Sequence, residues 1–194
     1  MSGCRLKLVL MVMAVTLNLQ ASKGTSSPAT CSSLNGFTAL DTAGLCVKPV
    51  AKKSWSEASR YCQSLGARIV IVDTQLKATA MNSYIETEFR DARYVWIGGV
   101  SYSSLSSSTH RFHATWVWSD CRAMSGTYNR WAPGEPSGDV DKCAVIQRNN
   151  FQWNDGPCSY SLNSVCEEIT SRPLYDIISN KDDVCPSSVF GGAN

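Results

Sequence analysis

Trp131-Ala-Pro-Gly-Glu-Pro-Ser-Gly-Asp-Val-Asp-Lys-Cys143, with Trp153-Asn154-Asp155 a short way downstream, is the stretch around which the chain is organised. Glu135, Ser137, Asp139, Asp141, Asn154 and Asp155 concentrate oxygen-bearing side chains there, and Pro and Gly hold the first part out of helix or strand. Hard oxygen donors on a stiff loop suit Ca²⁺, which takes roughly 6–8 oxygens at about 2.3–2.6 Å. They do not suit Zn²⁺ or copper, which want imidazole or thiolate. On composition alone, an ordinary polar surface loop would read the same way.

Three details decide between these readings: Trp96-Ile-Gly-Gly99, the triplet Glu135-Pro136-Ser137, and the placement of Trp153-Asn154-Asp155 between Cys143 and Cys158. In that order and spacing the chain resembles the C-type lectin-like domain, from about Cys31 to Glu168. The resemblance implies an α+β fold with two helices flanking small antiparallel β-sheets and a long irregular calcium- and sugar-binding loop on top. It pairs Cys62 with Cys166, tying the first helix to the last strand, and Cys143 with Cys158, bracing the site. A Cys31–Cys46 bridge would close an N-terminal hairpin and mark the long form of the domain.

The same resemblance assigns the ligand set for both metal and sugar to Glu135, Ser137, Asp141, Asn154 and Asp155. Ser137 stands where the family most often has Asn or Asp, and Asp141 where Glu is usual. Pro136 is expected in the cis form, which proline permits. A serine hydroxyl is a shorter, neutral ligand with one proton to donate where an amide has two. Gly138 and Lys142 fall near the accessory calcium position, so a single calcium is expected, held less tightly than by the full motif.

Working outward, residues 1–21 have a basic start (Arg5, Lys7), an apolar run from Leu8 to Leu17 and small residues behind it, the pattern of a secretory signal peptide cleaved after Ala21 or Gly24. The run is far short of the ~20 residues that span a bilayer, so no membrane span is expected. Two of the 18 Lys+Arg and none of the 16 Asp+Glu lie in this leader, leaving sixteen of each. A neutral chain offers no electrostatic case for nucleic acid or an anionic membrane as partner. Cys4 also leaves, and the remaining eight cysteines can all pair, as fits a secreted, extracellular protein. Residues 22–30 read as a flexible leader, 31–169 as one domain, and 170–194 as a C-terminal tail.

Within the domain, two short strands with a Gly-containing turn are expected before residue 50. Ser54-Trp-Ser-Glu57 is a capping box opening a helix whose apolar face carries Trp55, Ala58, Cys62 and Leu65, and Gly66 ends it. Residues 67–72 read as a buried strand. A second helix, capped by Asp73 or Thr74, reaches about Phe89 with Leu76, Ala80, Tyr84, Ile85 and Phe89 inward. Strands follow at 94–98 and 115–118, joined by a Ser-rich connection over 101–114. Residues 119–141 form a long loop with Trp131 as its anchor, and 143–147, 151–153 and 164–168 supply the closing strands.

No catalytic constellation is present. The two histidines, His110 and His113, sit in the Ser-rich connection with no third metal ligand near, and no nucleophile elbow accompanies them. Asp139 and Asp141 are better explained by cation binding than by acid/base work. The expected function is therefore that of a non-enzymatic, secreted, calcium-dependent lectin. It would prefer mannose, glucose or N-acetylglucosamine, since Glu135 resembles the opening of the mannose-type Glu-Pro-Asn triplet. Recognition of microbial glycans in innate immunity follows by family analogy alone. The alternative is a domain of this fold that binds protein or mineral without sugar. Cys121 and Cys185 remain after the family pairs: a Cys121–Cys185 bond within one chain would pin the tail, whereas a bond to a second chain would make a dimer, so the oligomeric state stays open.

Overall fold

Ser54 opens the first helix by reciprocal capping: its N–H donates to Glu57 Oε2 at 2.9 Å, while the Glu57 N–H donates to the Ser54 hydroxyl at 3.4 Å. The computed structural model describes residue 31 and residues 35–105, 112–124, 128–137 and 142–169. The leader, the tail, Cys185, His110, Asp139 and Asp141 lie outside the described residues. The helix α1 (Trp55–Ser64) buries Trp55, Ala58, Ser59 and Cys62, and the chain leaves it through Gly66 at φ +69°. Thr74 caps the second helix, α2 (Gln75–Glu88), by accepting from the Lys77 N–H at 3.2 Å.

The inner face of α2 differs from the expected one. Ala78, Met81, Tyr84 and Ile85 are its buried residues, whereas Leu76 is 57 % exposed. Two residues along a helix turn the side chain roughly 200°, so once Ala78 faces the core Leu76 faces water.

The strands are β1 (Thr38–Leu40), β2 (Leu45–Lys53), β3 (Ala67–Ile69), β4 (Tyr94–Leu105), β5 (Phe112–Trp118), β6 (Lys142–Gln147), β7 (Gln152–Pro157) and β8 (Leu162–Glu168). They join in one mixed sheet of order β1-β2-β8-β4-β6-β7, with β3 on β8 and β5 on β4. Only the β4–β8 pairing is parallel among these described strands, and it fuses what were expected to be separate antiparallel sheets. The α+β class stands.

Two local expectations are corrected. Residues 101–105 and 112–114 of the Ser-rich connection belong instead to paired strands, in register from Gly99↔Trp118 to Leu105↔Phe112, with His113 opposite Ser104. Serine is a weak strand former that a ladder nevertheless accepts, so polarity there did not mark a loop. The strand expected over 67–72 stops at Ile69, yet Val70, Ile71 and Val72 are fully buried. Their segment runs as a spacer between β8 and β4: Val70 N–H donates to Val165 O and Val70 O accepts from Gly98 N–H, both at 2.8 Å.

Cys31 is bonded to Cys46, Cys62 to Cys166 and Cys143 to Cys158. Cys121 is also disulfide-bonded. The core falls into two apolar clusters. One, around α2, Trp118 and Trp153, lies below the long loop; the other is centred on α1, Trp96 and the Cys62–Cys166 bond.

Candidate functional site

The site is built on the last strand of the sheet. β7 pairs with β6 on one side, and along its other side runs the long loop, through a parallel bridge between Trp131 and Trp153. Trp153 N–H donates to Arg130 O at 2.7 Å and Ala132 N–H to Trp153 O at 2.8 Å, so the loop satisfies an edge that would otherwise be bare. Below, Trp153 is 1 % exposed and receives Trp118, Tyr128 and Trp131 edge-on at centroid distances of 5.5, 5.7 and 5.8 Å. Met124, which the sequence did not single out, is a second anchor: it is buried and its N–H donates to Trp116 O at 3.0 Å.

This seating brings Glu135 and Ser137 from the loop beside Asn154 and Asp155 from β7. The Glu135–Pro136 bond is cis. Ser137 donates its backbone N–H to Asp155 Oδ1 at 2.7 Å and its hydroxyl to Asp155 Oδ2 at 2.8 Å. Glu135 Oε2 and Asn154 Oδ1 are buried atoms without a hydrogen-bond partner. Of the five residues assigned from the sequence, Glu135, Ser137 and Asp155 are in direct contact and Asn154 is the neighbour of Asp155 on β7; Asp141, just before β6, is outside the described residues.

The carboxyls in this cluster perturb one another. The Asp155 side chain beside it, then burial, pushes the Glu135 carboxyl up to about 7. Burial acts to raise Asp155 as well, but hydrogen bonds from the Glu135 side chain and from both donors of Ser137 outweigh it and hold Asp155 below its ordinary value. Two facing acids with one raised and one lowered share a proton, and a divalent cation is the ligand that replaces that proton and removes the repulsion. Buried oxygens left without donors are costly unless something positive meets them. The donor set of carboxylates, an amide oxygen and a hydroxyl fits Ca²⁺. A grouping of Cys31, Cys46 and Glu168, with donor atoms within 4.8 Å of one another, has no such capacity because both thiols are spent in a disulfide.

Comparison with known proteins shows the family. The profile of the Lectin C-type domain matches residues 51–168. C-type lectin lectoxin-Enh4 of Pseudoferania polylepis is 31 % identical over 163 residues, 80 % of this chain and 92 % of that protein. C-type lectin domain family 4 member A of Rattus norvegicus is 32 % identical over 119 residues, 60 % of this chain; the chain spans 44 % of that protein's length. Among solved structures, human lithostathine superposes with a TM-score of 0.55 at 26 % identity, over 69 % of this chain and 88 % of its own. The chain belongs to the C-type lectin domain family.

Proposed function

We propose that this protein is a secreted, calcium-dependent carbohydrate-binding lectin that accepts mannose, glucose or N-acetylglucosamine. The carrying observation is the pair of buried, unpartnered oxygens, Glu135 Oε2 and Asn154 Oδ1, in one cluster with the Ser137–Asp155 hydrogen bonds. Glu135, Ser137, Asn154 and Asp155, with Asp141, would hold the calcium, which supplies a charge that draws two neighbouring sugar hydroxyls out of water. Glu135 and Asp155 accept from those hydroxyls, and the Asn154 amide nitrogen donates to them. Ser137 fixes the Asp155 carboxylate so that its orientation is set before ligand arrives. Trp131 and Trp153 hold loop and strand together underneath. The chain's task on this reading is binding and not catalysis, and single sites of this kind reach useful avidity on clustered targets such as microbial surface glycans.

Calorimetry tests the proposal: calcium first, then methyl α-mannoside and methyl β-galactoside at saturating calcium. Heat for calcium and for mannoside is expected. Heat for calcium with none for any sugar would transfer the chain to the protein- or mineral-binding class, and binding of galactoside alone would overturn the sugar preference.

A further inference from the structure

We propose that the recess flanking the calcium cluster is a second subsite, which holds the sugar ring linked to the one at the cation; this rests on the lectin reading above. The recess encloses about 250 Å³, and its walls include Tyr94, Asn154, Asp155, Pro157, Tyr160 and Leu162. It is smaller than the roughly 300–1,000 Å³ of sites that engulf a drug-sized ligand, which suits one ring rather than a whole oligosaccharide. Asn154 and Asp155 belong both to it and to the cluster, so a glycan anchored at the cluster carries its next residue into the recess.

The rest of the lining has the chemistry for that residue. Tyr160 is 58 % exposed, and among the described residues the other large apolar side chains left so open are Leu76 and Ile169. A pyranose presents an apolar C–H face and a rim of hydroxyls. Its face can cover the Tyr160 ring and the side chains of Pro157 and Leu162, while its hydroxyls reach the polar wall. Behind the lining, Arg93 lies over the Tyr94 ring at 5.2 Å.

The platform is also preformed. Tyr160 N–H donates to Pro157 O at 3.0 Å, closing the turn, and Cys158 within it is bonded to Cys143 of β6. Cys158 O accepts from Trp55 N–H at 2.9 Å, which ties the turn to the start of α1. Binding therefore orders little beyond the tyrosine side chain, whose two rotatable angles cost little to fix.

The test is calorimetry on the full secreted chain at saturating calcium, with methyl α-mannoside compared against α-linked mannobioses. At least one mannobiose is expected to bind about five-fold tighter than the monosaccharide, the scale of one apolar ring face removed from water. Tyr160→Ala should abolish that gain with calcium and monosaccharide binding unchanged, and Tyr160→Phe should keep it. Equal affinity for monosaccharide and every mannobiose, or an equal loss on both in Tyr160→Ala, overturns the subsite while leaving the calcium site intact. If wild-type protein binds calcium but no sugar, the lectin reading fails first and the subsite falls with it.

Discussion

Ser137 gives Asp155 two hydrogen bonds from one residue, its N–H to Oδ1 at 2.7 Å and its hydroxyl to Oδ2 at 2.8 Å. Each carboxylate oxygen has two lone pairs, so once the proton shared with Glu135 is displaced one on each is open to an ion. Ser137→Ala removes the second donor and the hydroxyl ligand together. Calcium affinity should fall about tenfold, the usual cost of losing a group that orients a metal ligand. Ser137→Asn should instead tighten calcium binding and sharpen the mannose preference, because the amide supplies a stronger oxygen and two protons. An unchanged calcium isotherm in both variants would show that the ion sits elsewhere.

Glu135→Gln should act in opposite directions on the two forms of the protein. Without calcium, above the Glu135 value of about 7, the proton that the Glu135 and Asp155 carboxyls share is lost and the two repel, so at pH 8 or higher neutralising one relieves that repulsion and raises the melting temperature of chelator-treated protein. With calcium the lost charge weakens the site, on the order of tenfold, and shrinks the rise in melting temperature that calcium gives wild type. Asp155→Asn and Asp141→Asn should also weaken calcium binding. Thermal melts of Glu135→Gln with and without chelator check this; a parallel fall in both would sink the repulsion argument.

Calcium removal should loosen the loop only in part. Residues 119–141 read from the sequence as one loop hung on Trp131, but Met124 is buried and residues 130–132 are hydrogen-bonded along β7. These contacts do not involve the ion. Chelator should therefore speed amide exchange at Glu135 and Ser137 while the Ala132 and Trp153 amides and both helices stay protected. Exchange at Trp153 rising with that at Ser137 would mean that the ion, and not the tryptophan cluster, holds the loop down.

What the sequence disclosed depended on whether the signal was local. The Ser54/Glu57 cap, the Gly66 stop and the Thr74 cap need only neighbours, and all are in the structure. The Glu135-Pro136-Ser137 and Trp153-Asn154-Asp155 stretches were legible as a pair because the family pattern carries their spacing. Three features were not local. The parallel β4–β8 pairing joins segments far apart in sequence, and nothing in either strand marks it. The extension of β4 to Leu105 and its pairing with β5 were hidden by serines whose ladder partners lie on the other strand. Leu76 was misplaced because apolar residues on α2 lie on more than one face, and only packing against the sheet selects Ala78, Met81 and Ile85. Tyr160 carried no sequence signal beyond being an aromatic residue in a turn.

Gly98 and Gly99 are required by close approach. A Cβ on Gly98 would lie 2.8 Å from Ile69 O and 3.2 Å from Val70 O, backbone that cannot yield without breaking the β3-to-β4 contact. A Cβ on Gly99 would meet Met124 Sδ at 2.7 Å and Ala144 Cβ at 2.8 Å. Gly98→Ala should cost about 1–3 kcal/mol, as overpacking does in a dense core. Gly99→Ala should cost a similar amount, because the Met124 side chain can swing but the Ala144 Cβ is fixed to β6, and it should also weaken calcium binding by dislodging a loop anchor. Urea unfolding with calcium titration separates the two; unaffected calcium binding in Gly99→Ala would remove Met124 from the chain of support.

Asp73 offers a test by acid. Lys77 Nζ lies 3.0 Å from its Oδ1 and Arg122 Nη2 2.9 Å from its Oδ2, within a network in which Arg122 and Arg68 share Asp120 and Arg68 holds buried Glu167. The network joins β3, α2, β8 and the start of the long loop. Burial alone would raise the Asp73 carboxyl, but the two cations outweigh it and hold the carboxyl below its ordinary 3.8. The unfolded chain therefore takes up this proton before the folded one does, and stability falls as acid is added. The Asp73 contribution is complete above the unfolded value and is lost as pH drops below 3.8 through the folded value. Asp73→Asn should destabilise by roughly 1 kcal/mol at pH 7, given that the pair is partly solvated. The gap should hold down to about pH 4 and close below it, because wild type then carries a neutral group as well. Urea midpoints of both proteins from pH 7 to pH 2 measure this; a gap that persists at pH 2 would mean that the variant lost packing and not charge.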